Sequence, residues 1–183
     1  GRAMYKGTWK SSTLASKFYA ISPSLVRNLS FWDVEVFAGL IEGLSAKSYD
    51  LANECLMLGN QALAGMGRER EAFLSLCRTQ TETSWREVKA CFEVVDRSLP
   101  QIEESQRSRF LRLAEHLARE GSRETSVFLV SGSTALGKVK PQAQQHILDL
   151  CDALLTLSPQ AVHAFLKSLD SVLSRITLAQ LDT

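Results

Sequence analysis

Proline and glycine are scarce in this chain of 183 residues, at four and ten respectively. So few argue against a disordered or low-complexity polypeptide. No run of 18 apolar residues occurs, so the sequence carries no signal for a membrane-spanning helix. No basic segment followed by an apolar stretch occurs near the N-terminus. The four cysteines, at 55, 77, 91 and 151, include no C-x-x-C pair, which fits reduced intracellular thiols better than a disulfide framework. Charge of one sign is not in excess either. Lys and Arg number 21 against 20 Asp and Glu, a formal +1, whereas chains that coat nucleic acid or anionic membranes usually show a larger basic surplus. The expectation is a soluble cytoplasmic protein with no membrane span.

What the sequence does have is internal repetition, the first thing to seek in any chain. "FAGLI" at 37–41, "FLSLC" at 73–77, "FLRLA" at 110–114 and "ILDLC" at 147–151 recur every 36 or 37 residues. They define columns of equivalent positions: Phe37/Phe73/Phe110/Ile147, Leu40/Leu76/Leu113/Leu150 and Ile41/Cys77/Ala114/Cys151. Leu44, Leu117 and Leu154 extend the face, with Gln80 breaking it in the second copy. Ser48, Ser84, Ser122 and Ser158 then precede a second apolar run in each unit, and short apolar closers end at Met66, Ile102, Val139 and Ile176. Phe18 and Phe165 sit four periods apart.

Within a period the pattern is helical. Trp32, Val36, Leu40 and Leu44 step by four along one face. Ser30–Asp33 and Thr177–Gln180 read as capping boxes, and Leu29 with Val34 as a hydrophobic staple. Ser158-Pro159 is an N-cap followed by proline at the first helical position; Pro23, Pro100 and Pro141 fall at or beside expected helix starts. "SGST" at 131–134 reads as a turn between helices. A single such unit leaves an apolar face uncovered, and stacking neighbours bury it. The expected fold is therefore all-α, a HEAT/armadillo-like α-solenoid (superhelix) of about four repeats of 36–38 residues. Residues 1–13 are read as a tag remnant and N-terminal extension, and 14–183 as one helical repeat domain. The cap at 177–180 so near the last residue suggests a fragment of a longer array.

Candidate chemistry is thin. The cysteines fall in apolar columns and lack the paired short spacing of a zinc site. His116, His146 and His163 are scattered singly, no H-E-x-x-H or G-x-S-x-G motif occurs, and "SGSTALGK" lacks the spacing of a phosphate loop. These readings point to no enzyme, no cofactor and no metal. Arg107, Arg109 and Arg112 form a basic run, but Glu103, Glu104 and Glu115 are interleaved, the pattern of a solvated face with local ion pairs. Tyr49 and Trp85 follow Ser48 and Ser84 at helix starts, where an aromatic can anchor a partner. The candidate interaction surface is thus Tyr49, Trp85, Arg107, Arg109 and Arg112. The leading expectation is a non-enzymatic scaffold for protein–protein interaction. The alternatives are a nucleic-acid-binding solenoid, which the charge balance disfavours, and a ligand or enzyme pocket on a concave face.

"LSPQAVHAFLKSLDSVLSRITLAQLDT" at 157–183 resembles the helical repeats of large bacterial proteins that carry a von Willebrand factor A domain, of the NorD-like and CbbO-like type. The residues carrying the likeness are Ala164-Phe165-Leu166, Val172-Leu173, Arg175-Ile176 and Thr177–Gln180, while the third unit, "TSVFLVSG", departs from the pattern. The resemblance implies a scaffold working with an AAA+ ATPase of the MoxR kind or with another domain of the same chain. No D-x-S-x-S motif is present, so the metal-binding A domain would lie outside these residues and no family active-site residue maps onto them.

Overall fold

A computed structural model describes residue 9 and residues 11–181. Among the described residues there are nine α-helices, one 3-10 turn and no strand. The helices are α1 (Ser12–Asn28), α2 (Phe31–Ser45), α3 (Tyr49–Gly65), α4 (Arg70–Thr83), α5 (Glu87–Ser98), α6 (Glu104–Arg119), α7 (Thr125–Gly137), α8 (Pro141–Leu155) and α9 (Pro159–Leu181), with the 3-10 turn at Leu99–Gln101. Two rows result. In one, α2 packs on α4, α4 on α6 and α6 on α8; in the other, α1 packs on α3, and so on through α5 and α7 to α9. Contacts of α2 with α3, α4 with α5, α6 with α7 and α8 with α9 join the rows.

Local chemistry explains several of the helix starts. Ser30 accepts from the Asp33 amide at 3.1 Å while Asp33 accepts from the Ser30 amide, a complete capping box. Ser48 and Ser158 cap α3 and α9 by accepting from Leu51 and Ala161. The other two landmark serines do something else. α5 starts only at Glu87, and the Ser84 hydroxyl donates to the Gly121 carbonyl at 3.0 Å, tying one turn to the next. Ser122 accepts from the Glu124 amide at 3.1 Å, one turn ahead of α7.

Three further expectations give way. Pro23 lies inside α1, not at a start. The carbonyl it leaves without a helical partner, that of Tyr19, accepts from the Ser22 hydroxyl at 2.8 Å. "SGST" is interior to α7 rather than a turn: the hydroxyls of Ser131, Ser133 and Thr134 fold back onto the carbonyls of Val127 and Val130, which quiets their competition with the helix. The backbone also runs helically through 177–180 within α9, so no new helix begins there; the side chains of that expected capping box lie outside the described residues.

The core lies between the rows and between successive pairs. Phe37, Phe73 and Phe110, with Ile41, Cys77, Ala114 and Cys151, are fully buried. Phenylalanine rings run through it in tilted, edge-on or stacked contacts, Phe18 to Phe37 to Phe92 to Phe73, and Phe110 to Phe128. Glycine makes room for them. A Cβ at Gly132 would lie 2.8 Å from Phe110 Cε2, and one at Gly59 would lie 2.4 Å from Phe37 Cζ. Gln80 does occupy the column of Leu44 and Leu117, yet it is buried there, its amide donating to Cys91 Sγ at 3.3 Å.

Candidate interaction surfaces

Residues from adjacent sequence units meet through polar side chains as well as apolar ones. Arg70, at the start of α4, donates from Nε to the Leu63 carbonyl at 3.0 Å, from Nη2 to the Met66 carbonyl, and pairs with Asp33 at 3.4 Å. Thirty-seven positions on, Arg107 repeats the arrangement, donating to the Ile102 carbonyl at 3.1 Å and pairing with Glu69 at 3.3 Å. Gln144 follows after the same interval. It donates to the Leu136 carbonyl at 3.0 Å and accepts from the Glu103 amide at 2.9 Å. Each side chain satisfies carbonyls left over where the preceding helix or turn ends. Glu69 is almost wholly buried, so Arg107 neutralises a charge that water does not reach. A column of Arg70, Arg107 and Gln144 is visible in the sequence once the period is known.

The five residues expected to form an interaction surface do not share one site. Arg107 is the half-buried clasp just described. Arg109 is held by Asp149 and Asp152, binding α6 to α8; burial works against its charge while the two carboxylates raise its pKa. Arg112 is exposed, on the rim of a shallow hollow of about 210 Å³ between α4 and α6 that Glu71, Ser75 and Glu115 also line. Tyr49 opens α3 and Trp85 lies in the turn after α4, at the opposite ends of the helices from Arg107. Trp85 is half-buried against the core with the Arg86 guanidinium 4.9 Å above its ring, and Tyr49 is exposed. Two of the three arginines therefore spend their charge inside the fold.

A more open feature was missed. Trp32 shares its helical stripe with Leu40 and Leu44, which are buried, but Trp32 itself is 73% exposed. It stands at the mouth of a furrow between α2 and α4, made of two adjoining hollows of about 460 and 660 Å³. Val36 and Arg78 line both. Gly39 and Gly43 open the furrow on the α2 side, where the equivalent positions of the next unit hold Ser75 and Thr79. The walls mix Val36, Leu40 and Leu74 with Glu71, Arg78, Thr81 and Glu82. Four-residue spacing could identify Trp32 as a stripe member but not that the stripe leaves the core at its first turn.

The remaining reactive groups are quiet. All four cysteines are buried and unpaired, and burial pushes the thiols of Cys55, Cys91 and Cys151 up to about 12, so none is a thiolate at neutral pH. His163 is buried between α9 and α7, edge-on to Phe128, with Nδ1 3.4 Å from Glu124; burial lowers its pKa. Among the described residues no group of three or more His, Cys, Asp or Glu is placed to hold a metal ion, and no helix is long and apolar enough to cross a membrane. No family model, no curated protein and no solved structure matches the chain.

Proposed function

We propose that the chain is a non-enzymatic scaffold, an α-solenoid of HEAT or armadillo kind, that binds another protein along its α2–α4 furrow. The solenoid reading is supported by the hydrogen bonds that link distant parts of the chain. From Lys17–Asn53 through Arg107–Glu69 to Lys138–Asp170 they span 32 to 43 residues, about one sequence period, so each unit bonds to its immediate neighbour. That is the nearest-neighbour logic of a stacked array.

The interaction reading is carried by Trp32. A tryptophan held 73% in water at the edge of a half-apolar furrow is an unfavourable arrangement for a lone chain and a typical anchor of a binding hot spot. The furrow's length along two helices suits an extended or helical segment better than a small molecule. The family resemblance supplies the first partner to try, an AAA+ ATPase of the MoxR type, or a von Willebrand A domain of the same polypeptide.

Titrating the purified chain with such an ATPase, and separately with such a domain, tests the proposal. Saturable binding that falls at least tenfold in Trp32→Ala supports it; Trp32 is exposed, so the fold should not change. Binding equally strong in Trp32→Ala rejects the furrow as the site. Salt-sensitive binding to a generic duplex, lost when Arg107, Arg109 and Arg112 are replaced, would favour the nucleic-acid alternative instead.

A further inference from the structure

At the α2–α4 furrow the repeat departs from its own pattern, and four positions change together. Trp32 stands where the later units, 36 or 37 residues apart, hold the exposed polar residues Arg68, Ser105 and Gln142. Gly39 and Gly43 stand where the next two units hold Ser75 with Thr79 and Arg112 with His116. Arg78, on the facing wall, stands where α6 and α8 hold the carboxylates of Glu115 and Asp152.

Both carboxylates stitch their helix to the one before. Glu115 accepts from Ser75 and Thr79 of α4, each at 3.2 Å, and from Arg119 at 2.8 Å. Asp152 accepts from Arg109 Nε of α6 at 2.8 Å. On α4 the charge is reversed and the stitch is missing. Arg78 is exposed and has no hydrogen-bond or ion-pair partner among the described residues. Across the furrow α2 offers it only glycine at the positions of Ser75 and Thr79. Glu82, one turn on, does not take it up; Arg ahead of Glu at this spacing is the weaker order for a helical pair. The guanidinium therefore stays available in the wall shared by both hollows.

We infer that the occupant of the furrow is an amphipathic helix of the partner protein, in which one Asp or Glu pairs with Arg78 while apolar residues a turn away pack on Trp32 and Val36. The inference rests on the furrow reading above and adds the chemistry of what lies in it. From Trp32 to Gly43 the furrow follows α2 for about 16 Å, three helical turns. Two glycines one turn apart strip this face of side chains, so a third helix can lie close against α2. Neighbouring charges fix where the acid goes. Glu71 lines the Trp32 end and repels a carboxylate placed there, while at the far end Lys47 and Glu82 offset one another. With Asp33, Glu71 and Glu82 beside them, Arg78 and Lys47 form no cationic track for a nucleic-acid backbone.

Probes come from a phage-displayed library of helix-favouring peptides of about 14 residues, four helical turns, panned against the full chain. Selected peptides should share one Asp or Glu with apolar residues three or four positions to either side. Their affinities are then read by fluorescence anisotropy. Replacing the shared acid by Lys should weaken binding at least tenfold, and Arg78→Glu in the chain should restore it to within severalfold of the original pair. Replacing the acid by its amide should weaken binding severalfold at low salt and less at high salt. Circular dichroism checks that Arg78→Glu, an exposed substitution, leaves the helices intact. Binding that is lost in Trp32→Ala but indifferent to Arg78→Glu overturns this inference and leaves the furrow reading standing. Binding indifferent to both substitutions, a selection without the shared acid, or no selected peptide overturns it as well, while the furrow itself is judged by Trp32→Ala with the protein partners above. Binding of a generic duplex that Arg78→Glu abolishes overturns it too, by giving the guanidinium to a phosphate backbone.

Discussion

The third and fourth sequence units, α6–α7 and α8–α9, have nearly the same apolar pattern and opposite fates. Leu113 is sealed and Leu150 is in water; Ala135 is sealed and Val172 is in water. Neither difference comes from the unit's own sequence, since all four residues are apolar at matching positions. It comes from the presence of α8 on α6 and of α9 on α7, whereas among the described residues no helix packs on α8 and α9 from the far side. The lesson is that a residue's burial here belongs to the junction between helices rather than to the helix that carries it.

That contrast predicts unequal costs for equal substitutions. Leu113→Ala should lower the unfolding free energy by about 4 kcal/mol, through lost transfer energy and a cavity, whereas Leu150→Ala should change it by less than about 0.5 kcal/mol. Urea denaturation of both variants checks this, and equal losses would break the comparison. Arg107→Ala should cost about 2 kcal/mol by stranding the Glu69 carboxylate, somewhat less than a wholly buried pair because the guanidinium is partly hydrated. Arg112→Ala, on the same helix but exposed, should cost within about 0.5 kcal/mol. Gly132→Ala should cost about 1.5 kcal/mol because its new methyl would press on the Phe110 ring. Gly65→Ala, whose methyl meets nothing within 4 Å, should be neutral or gain a few tenths of a kcal/mol from helix propensity.

The smallest effect concerns acidity at the α7–α9 junction. Burial lowers the His163 pKa below the usual 6.5, so the unfolded chain takes up this proton first as pH falls. Stability from neutral His163 is therefore complete above about pH 6.5 and declines below it. Glu124 opposes the shift and Lys167 adds to it, so the decline should be modest. Thermal melts between pH 7.5 and 5 should show this decline in the wild type and its loss in His163→Phe; an equal decline in both would assign it to other groups.

Much of this architecture could be read without coordinates because periodicity is a local, additive signal. The phenylalanine columns, the caps at Ser30, Ser48 and Ser158, and the burial of the cysteines follow from residue type and spacing. The surfaces were harder to read. Arg107 and Arg109 read as members of a solvated face with local ion pairs because their partners, Glu69 and Asp149 with Asp152, lie 38 to 43 residues away. Ser84 looked like a helix cap because a hydroxyl ahead of an apolar run usually is one, but the Gly121 carbonyl of the following unit competes for it. Trp32 and Leu150 sat in apolar stripes with no sequence mark that their stretch of stripe would lack a neighbour.

By itself the sequence determined the helices, their period and the side of each that turns inward, since these depend on contacts three or four residues apart and on a column repeated along the chain. The tertiary structure decided which charges are spent inside, which serines cap, and which apolar columns stay open, because each of those outcomes depends on a group that arrives one whole unit later.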